Sequence, residues 1–212
     1  MRRRIRWLGA VFAVVLTWAG GTVSYAAREV DLDTFVILVQ PMSAIDAQKQ
    51  KLKAEGRLTD ENLPVYRPRV GDLVEILAVR NESGFVVPQR WMLAKLFRSG
   101  EDKFWGRALF NTGHFAQPVA VQKGQGGLSI VTAQNDLTPS VLLYDPLWSQ
   151  AALAGEGETV VAVDKVELVV GHTGSPGQMR RLRKMVQLGA DAPGLIAKTL
   201  LVRRQGHWAT YP

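Results

Sequence analysis

The chain has no cysteine among its 212 residues. That absence excludes disulfides, a lipid-modified cysteine behind a leader, thiolate nucleophiles and cysteine-rich metal sites. A small secreted animal domain usually depends on disulfides, whereas a chain of this length can bury a sufficient core without them. The composition therefore favours a bacterial envelope protein over a small disulfide-stabilised domain.

Histidine is almost as scarce, with only His114, His172 and His207 in the whole chain. They are far apart in sequence, and none belongs to an H-x-x-x-H or H-E-x-x-H pattern, so no metal site is predicted. The chain also lacks the G-x-S-x-G and S-x-x-K motifs of serine enzymes and the glycine spacing of a P-loop. We therefore predict no cofactor and favour a protein that is not an enzyme.

The first 26 residues have the pattern of an export signal. Four arginines open the chain, an apolar run from residue 8 to residue 23 follows, and Ser24 and Ala26 are the small residues that a signal peptidase needs. The run is interrupted by two glycines and is shorter than a comfortable membrane span. We expect cleavage before Ala27 and a periplasmic location, with an uncleaved inner-membrane anchor as the alternative.

Charge is unevenly distributed in the remaining 186 residues, which we treat as a single exported domain at 27–212. The formal charge of +7 falls to +3 when the four leader arginines are removed. Most of the excess positive charge lies in residues 178–212, which contain seven lysines and arginines and one acid, Asp191. This pattern predicts a basic C-terminal face, while the low overall charge speaks against a nucleic-acid partner.

Local patterns predict an α+β fold with a mostly antiparallel sheet and two main helices. The helices are expected at residues 43–55 and from Ser175, where a serine cap, a proline and Gln178 form a helix-start signal. A closing hairpin should turn at Gln205-Gly206. The predicted strands are 29–39, 70–80, 89–97, 104–110, 119–122, 128–133, 141–144, 159–170, 195–204 and 207–210.

Three of these segments carry a resemblance. Arg69-Val-Gly-Asp-Leu-Val-Glu, Arg90-Trp-Met-Leu-Ala-Lys-Leu-Phe and Phe104-Trp-Gly-Arg-Ala together resemble the bacterial SH3-like small barrels. Such modules often combine a Gly-Asp turn into an early strand with aromatic hairpins. The resemblance implies an SH3-like barrel within the sheet and, by analogy, a binding module.

Two surfaces are candidates for binding. The first is the basic face of the second helix, formed by Arg180, Arg181, Arg183 and Lys184, which suits an anionic partner or a membrane surface. The second is the predicted hairpin of strands 89–97 and 104–110, where two tryptophans would stand side by side as a peptide or glycan site. Its residues are Arg90, Trp91, Trp105 and Arg107.

Together these features favour a non-catalytic binding or assembly component of the cell envelope. Its expected partner is an envelope protein or an anionic envelope component. Peripheral contact with a membrane is one form that this binding could take. The alternative is an envelope hydrolase with a site assembled from dispersed residues. It would require His114 or His172 to converge with an acid in a cleft. The sequence does not indicate an oligomeric state.

Overall fold

The structure is a computed structural model that describes residues 31–82, 84–98, 100–189 and 194–212. The predicted leader at residues 1–26 lies outside these residues. The strands are β1 Phe35–Pro41, β2 Tyr66–Val70, β3 Leu73–Asn81, β4 Gly84–Val86, β5 Ala120–Lys123, β6 Ser129–Thr132, β7 Thr159–Val163, β8 Leu168–His172, β9 Leu201–Arg204 and β10 His207–Thr210. The helices are α1 Met42–Ala54, α2 Arg90–Phe97, α3 Glu101–Phe115, α4 Asp145–Trp148 and α5 Pro176–Gly189.

The strands form two antiparallel sheets. The first has the order β1-β3-β2, with β4 also paired to β3, and the second has the order β10-β9-β7-β8-β6-β5. Both sheets are accompanied by helices, so the predicted α+β class with antiparallel pairing is confirmed. No strand pairing in the described part of the chain closes either sheet into a barrel.

Alternating side chains place the first sheet between two apolar layers. On β1, Val36 and Leu38 point into a core that the two sheets share, whereas Phe35 and Ile37 point outward against α2 and α3. Successive side chains of a strand face opposite sides of the sheet, so an unbroken apolar run is what a strand buried on both faces requires. Helices α2 and α3 therefore cover the outer face of the first sheet.

The second sheet repeats this arrangement on the opposite side. On β7, Val161 and Val163 enter the shared core, and Val160 and Ala162 face outward against α5. The molecule thus has four layers, in the order α2 and α3, first sheet, second sheet, α5. Helix α5 and the pair α2/α3 lie on opposite outer sides of the protein.

The strands predicted at residues 89–97 and 104–110 are wrong, because these segments form α2 and α3. The buried positions of α3 give the reason. Phe104, Trp105, Ala108, Asn111 and Thr112 are buried, at the spacing that places side chains on one face of a helix. Two acids in the first turn of α3 also suit the positive end of its dipole.

This correction removes most of the SH3-like resemblance. Of its three segments, only residues 69–75 belong to a β-hairpin, the turn from β2 into β3. The two aromatic segments are helical, and the sheets stay open. An SH3-like barrel is therefore not the architecture of this region.

Four further strand predictions are corrected. Within the predicted strand 29–39, Leu32–Thr34 is a 3₁₀-helix, and within the predicted strand 195–204 only Leu201–Arg204 is a strand. Residues 159–170 are a hairpin of β7 and β8 turning at 164–167, because the Asp164 side chain accepts a hydrogen bond from the Val166 amide and closes the turn. Residues 141–144 lie largely in a 3₁₀-helix, Pro139–Leu143, with proline at its start. Helices α1 and α5 and the hairpin at Gln205-Gly206 are confirmed.

Candidate functional site

Helix α5 is fixed at its start by a side-chain link rather than by the predicted capping box. The Gln178 side-chain oxygen accepts a hydrogen bond from the His172 amide at 2.8 Å, and its Nε2 donates to the Gly127 carbonyl at 2.9 Å. Met179 and Leu182 are buried against the second sheet. These contacts determine which face of α5 points outward.

The outward face of α5 and the end of the chain form one open groove of about 750 Å³. Three of the four predicted basic residues, Arg180, Arg183 and Lys184, line it. The fourth, Arg181, instead lies over the loop at Gly126, so closely that a side chain at this glycine would collide with the guanidinium. The structure therefore brings three cations together and gives Arg181 a packing role.

The three groove cations lack acidic partners. Helix α5 contains no aspartate or glutamate, and no ion pair in the described ranges involves Arg180, Arg183 or Lys184. Their spacing of three and four residues places like charges on neighbouring positions of the helix, which is mildly destabilising. The groove is therefore a concentrated positive surface in which like charges are close neighbours.

Tyr211 and Leu188 also line the groove, and neither was predicted as a binding residue from the sequence. The Arg183 guanidinium lies 5.6 Å from the centre of the Tyr211 ring and donates to its hydroxyl at 3.4 Å. Leu188 is 72% exposed. It follows Met179 by nine residues, about half a turn away on a helical projection, so helical geometry alone could have placed it on the outer face. Tyr211 needed the three-dimensional fold.

The second predicted surface is not assembled as a pair of tryptophans. Trp105 is 5% exposed and belongs to the core beneath α3, with the Arg67 guanidinium 4.3 Å from its ring centre. Trp91 is 53% exposed on α2, and its ring nitrogen donates to Gln89 at 2.6 Å. One ring is thus structural, and only the other is accessible.

The arginines of this second surface are paired with acids. Arg90 forms an ion pair with Glu101 at 3.3 Å, and Arg107 forms one with Asp33 at 2.5 Å. The Arg107 guanidinium also lies 5.1 Å from the Phe110 ring centre. These contacts link α2, α3 and the start of β1 rather than leaving free cations at the surface.

The histidines lie in different surroundings. His114 is exposed on α3, beside the Phe115 ring. His172 is 8% exposed at the end of β8 against Gly155, and its Nδ1 has no hydrogen-bond partner. Burial, followed by the charge of Lys123, lowers the pKa of His172 below its ordinary value. No carboxylate among the described residues hydrogen-bonds to either ring.

A buried serine lies near this last histidine on the second sheet. Ser129 is buried on β6, and the Lys123 ammonium on β5 lies 3.5 Å from its hydroxyl and 3.4 Å from the Ala152 carbonyl. Elsewhere, burial and the nearby Asp164 raise the pKa of Glu167. In the described part of the chain no three metal-ligating side chains are grouped.

Comparison with known proteins gave no relatives: no family model, no curated protein and no solved structure matches this chain. In the ranges that the structure covers, no helix combines the length and the apolar character needed to cross a bilayer.

Proposed function

We propose that this protein is a non-catalytic, exported component of the bacterial cell envelope that binds an anionic partner through the groove beside α5. One observation carries the proposal: Arg180, Arg183 and Lys184 converge on one open groove, and none of them pairs with an acid in the part of the chain that the structure describes. A like-charged cluster that weakens its own helix is more readily explained by binding than by stability.

Export is the second part of the proposal, and it rests on the sequence. The arginines at the start, the interrupted apolar run and the small residues Ser24 and Ala26 support a cleaved leader and a periplasmic domain at 27–212. An uncleaved leader would keep the same domain in the same compartment, attached to the inner membrane. The proposed binding role is the same in both forms.

The proposal is tested by crosslinking the tagged protein in living cells and identifying its partners by mass spectrometry. The decisive variant reverses the groove charges: Arg180→Glu, Arg183→Glu and Lys184→Glu. Its matched control reverses three exposed cations on the opposite outer layer: Lys95→Glu, Arg98→Glu and Lys103→Glu.

We expect a specific envelope component that crosslinks to the wild type and to the control but is lost from the groove variant. Equal recovery from the groove variant would contradict the proposal, and so would a wild type with no envelope component attached. Arg181 is left unchanged in this design because it packs against the loop at Gly126.

A further inference from the structure

We propose that the anionic partner of the α5 groove is the phosphate-bearing headgroup of an acidic phospholipid, so that the protein lies on a membrane surface with α5 against the headgroups. This inference rests on the proposed function and names its ligand. It follows from the kind of side chains that line the groove and from where they lie on α5.

The groove combines cations that pair with no acid among the described residues with apolar side chains, of which Leu188, Pro176 and Tyr211 are examples. Apart from Leu188, the large apolar side chains of α5 are buried or half-buried toward the second sheet, among them Met179 and Leu182. A protein interface usually has an apolar centre surrounded by a polar rim. Here cations and apolar side chains line the same groove, so the charge of the cations, not a lack of apolar surface, is what favours an acidic lipid.

An acidic lipid surface offers phosphates to cations and the edge of the acyl chains to apolar side chains. Lysine and arginine side chains near an acidic membrane are attracted to the headgroup phosphates over roughly a Debye length. A guanidinium also matches a phosphate with two parallel hydrogen bonds. Arg180, Arg183 and Lys184 supply three such cations within one groove.

Leu188 and Tyr211 suit the boundary between headgroups and acyl chains. Leu188 is the most exposed of the large apolar side chains in the described ranges, and it lines the same groove as the cations. Tyrosine is enriched at membrane interfaces because its ring is apolar and its hydroxyl is polar. The Tyr211 hydroxyl lies beside Arg183, within the polar part of the groove.

Because α5 is an outer layer of the molecule, this face can meet a flat surface. The opposite outer layer also exposes a large apolar side chain, Phe110, which is 66% exposed. Its neighbour Arg107 is engaged with Asp33, however, so that layer offers an apolar residue beside a neutralised cation. Lys95, Arg98 and Lys103 are exposed in that layer too. We assign the acidic lipid to the α5 side because its three cations line one groove together with Leu188 and Tyr211.

The first test measures sedimentation of the exported full-chain protein with lipid vesicles. Vesicles of phosphatidylglycerol and phosphatidylethanolamine are compared with vesicles of phosphatidylcholine. We expect binding to the acidic vesicles only, about fivefold weaker in Lys184→Gln and more than about tenfold weaker in the triple variant Arg180→Gln/Arg183→Gln/Lys184→Gln. The control triple variant Lys95→Gln/Arg98→Gln/Lys103→Gln should bind like the wild type.

The second test uses the absence of cysteine, which allows labelling at one chosen position. An environment-sensitive dye on Leu188→Cys should shift to the blue and be quenched by brominated acidic lipids. The same dye on Phe110→Cys, at a position of similar exposure on the opposite layer, should show neither change. Equal responses at the two positions would overturn the assignment of the α5 face.

The lipid assignment is also overturned if both triple variants lose binding equally, or if the wild type binds phosphatidylcholine as well as acidic vesicles. It fails equally if the wild type binds inorganic phosphate or polyglutamate in solution but no vesicles. In that last case, crosslinking to an envelope protein through the groove would leave the proposed function intact. If neither vesicles nor an envelope component bind, both proposals fail together.

Discussion

The two outer helical layers bury similar apolar faces but differ in how they hold their arginines. In the α2/α3 layer, Arg90 and Arg107 each meet an acid. In α5, three cations share a groove with one another and with Tyr211, and no acid joins them in the part of the chain that the structure describes. Paired charges of the first kind fix elements to one another, whereas unpaired charges of the second kind are available to a partner.

The same difference separates the tryptophans from the basic helix. Trp105 was predicted to be a binding residue beside Arg90 and Arg107. In the structure it is buried, with the Arg67 guanidinium over its ring, and Arg67 pairs with buried Glu75. Helix α5, the other predicted binding surface, has three groove cations that pair with no acid among the described residues. The presence of a partner within the fold therefore distinguishes the two surfaces better than residue type does.

The largest expected effects come from the inner faces, where the two layers should behave alike. Leu182→Ala in α5 and Leu93→Ala in α2 each remove a buried leucine side chain. We expect each to lower the free energy of unfolding by about 3 kcal/mol, measured by urea denaturation. A loss below about 1 kcal/mol for Leu182→Ala alone would show that α5 is not packed as described.

The next largest effect on stability is expected from the buried carboxylate of Glu75 in the first sheet. Glu75 is buried between Arg67, at 2.5 Å, and Arg69, at 3.4 Å. Glu75→Gln weakens both contacts, and we expect a loss of about 2 kcal/mol in urea denaturation. The exposed pair of Glu55 with Arg57 is the control, since Glu55→Gln should change stability by less than about 0.5 kcal/mol. Equal losses of stability in Glu75→Gln and Glu55→Gln would contradict the difference expected between a buried and an exposed ion pair.

A smaller effect should depend on pH and trace to His172, at the end of β8 before α5. Because its pKa is lowered in the folded state, the unfolded chain binds the proton more readily. Stability from this group is complete above the ordinary pKa of 6.5 and declines as the pH falls below it. Urea denaturation between pH 7 and pH 5 should show this decline, and His172→Gln should flatten it. If the stability of His172→Gln declines with falling pH as steeply as that of the wild type, His172 is not the source of the decline.

The smallest expected effect has the opposite sign. Replacing Arg180 and Lys184 by glutamine removes a like-charge pair four residues apart on α5 and leaves the contact of Arg183 with Tyr211 in place. We expect the free energy of unfolding to rise by up to about 0.5 kcal/mol at low salt, measured by urea denaturation. A drop of more than about 1 kcal/mol would mean that these cations stabilise the fold.

The sequence allowed prediction of the elements whose signals are local. The helix start at Ser175-Pro176 and the turn at Gln205-Gly206 are short patterns, and both lie where expected. The four layers were not predicted, because strands buried on both faces, such as β1 and β7, show apolar runs without alternation. The aromatic residues Phe104 and Trp105 favoured a strand, although the buried positions of this segment recur at helical spacing.

The candidate site was predicted only in part for a similar reason. A run of four cations on one helix is visible in the sequence, so the basic face was anticipated. Which residues line the groove depends on neighbours distant in the chain. Arg181 packs over the loop at Gly126 instead of lining the groove, whereas Tyr211 lines it. Only the fold brings these residues together.

The most direct test of the account is the retention of the protein on washed envelope membranes as the NaCl concentration rises. Wild type and the Lys95/Arg98/Lys103 glutamine variant should be retained at low salt and released together as salt screens the groove charges. The Arg180/Arg183/Lys184 glutamine variant should be poorly retained throughout. Retention of this variant equal to that of the wild type at every salt concentration would contradict the claim that the free cations of α5 form the binding surface.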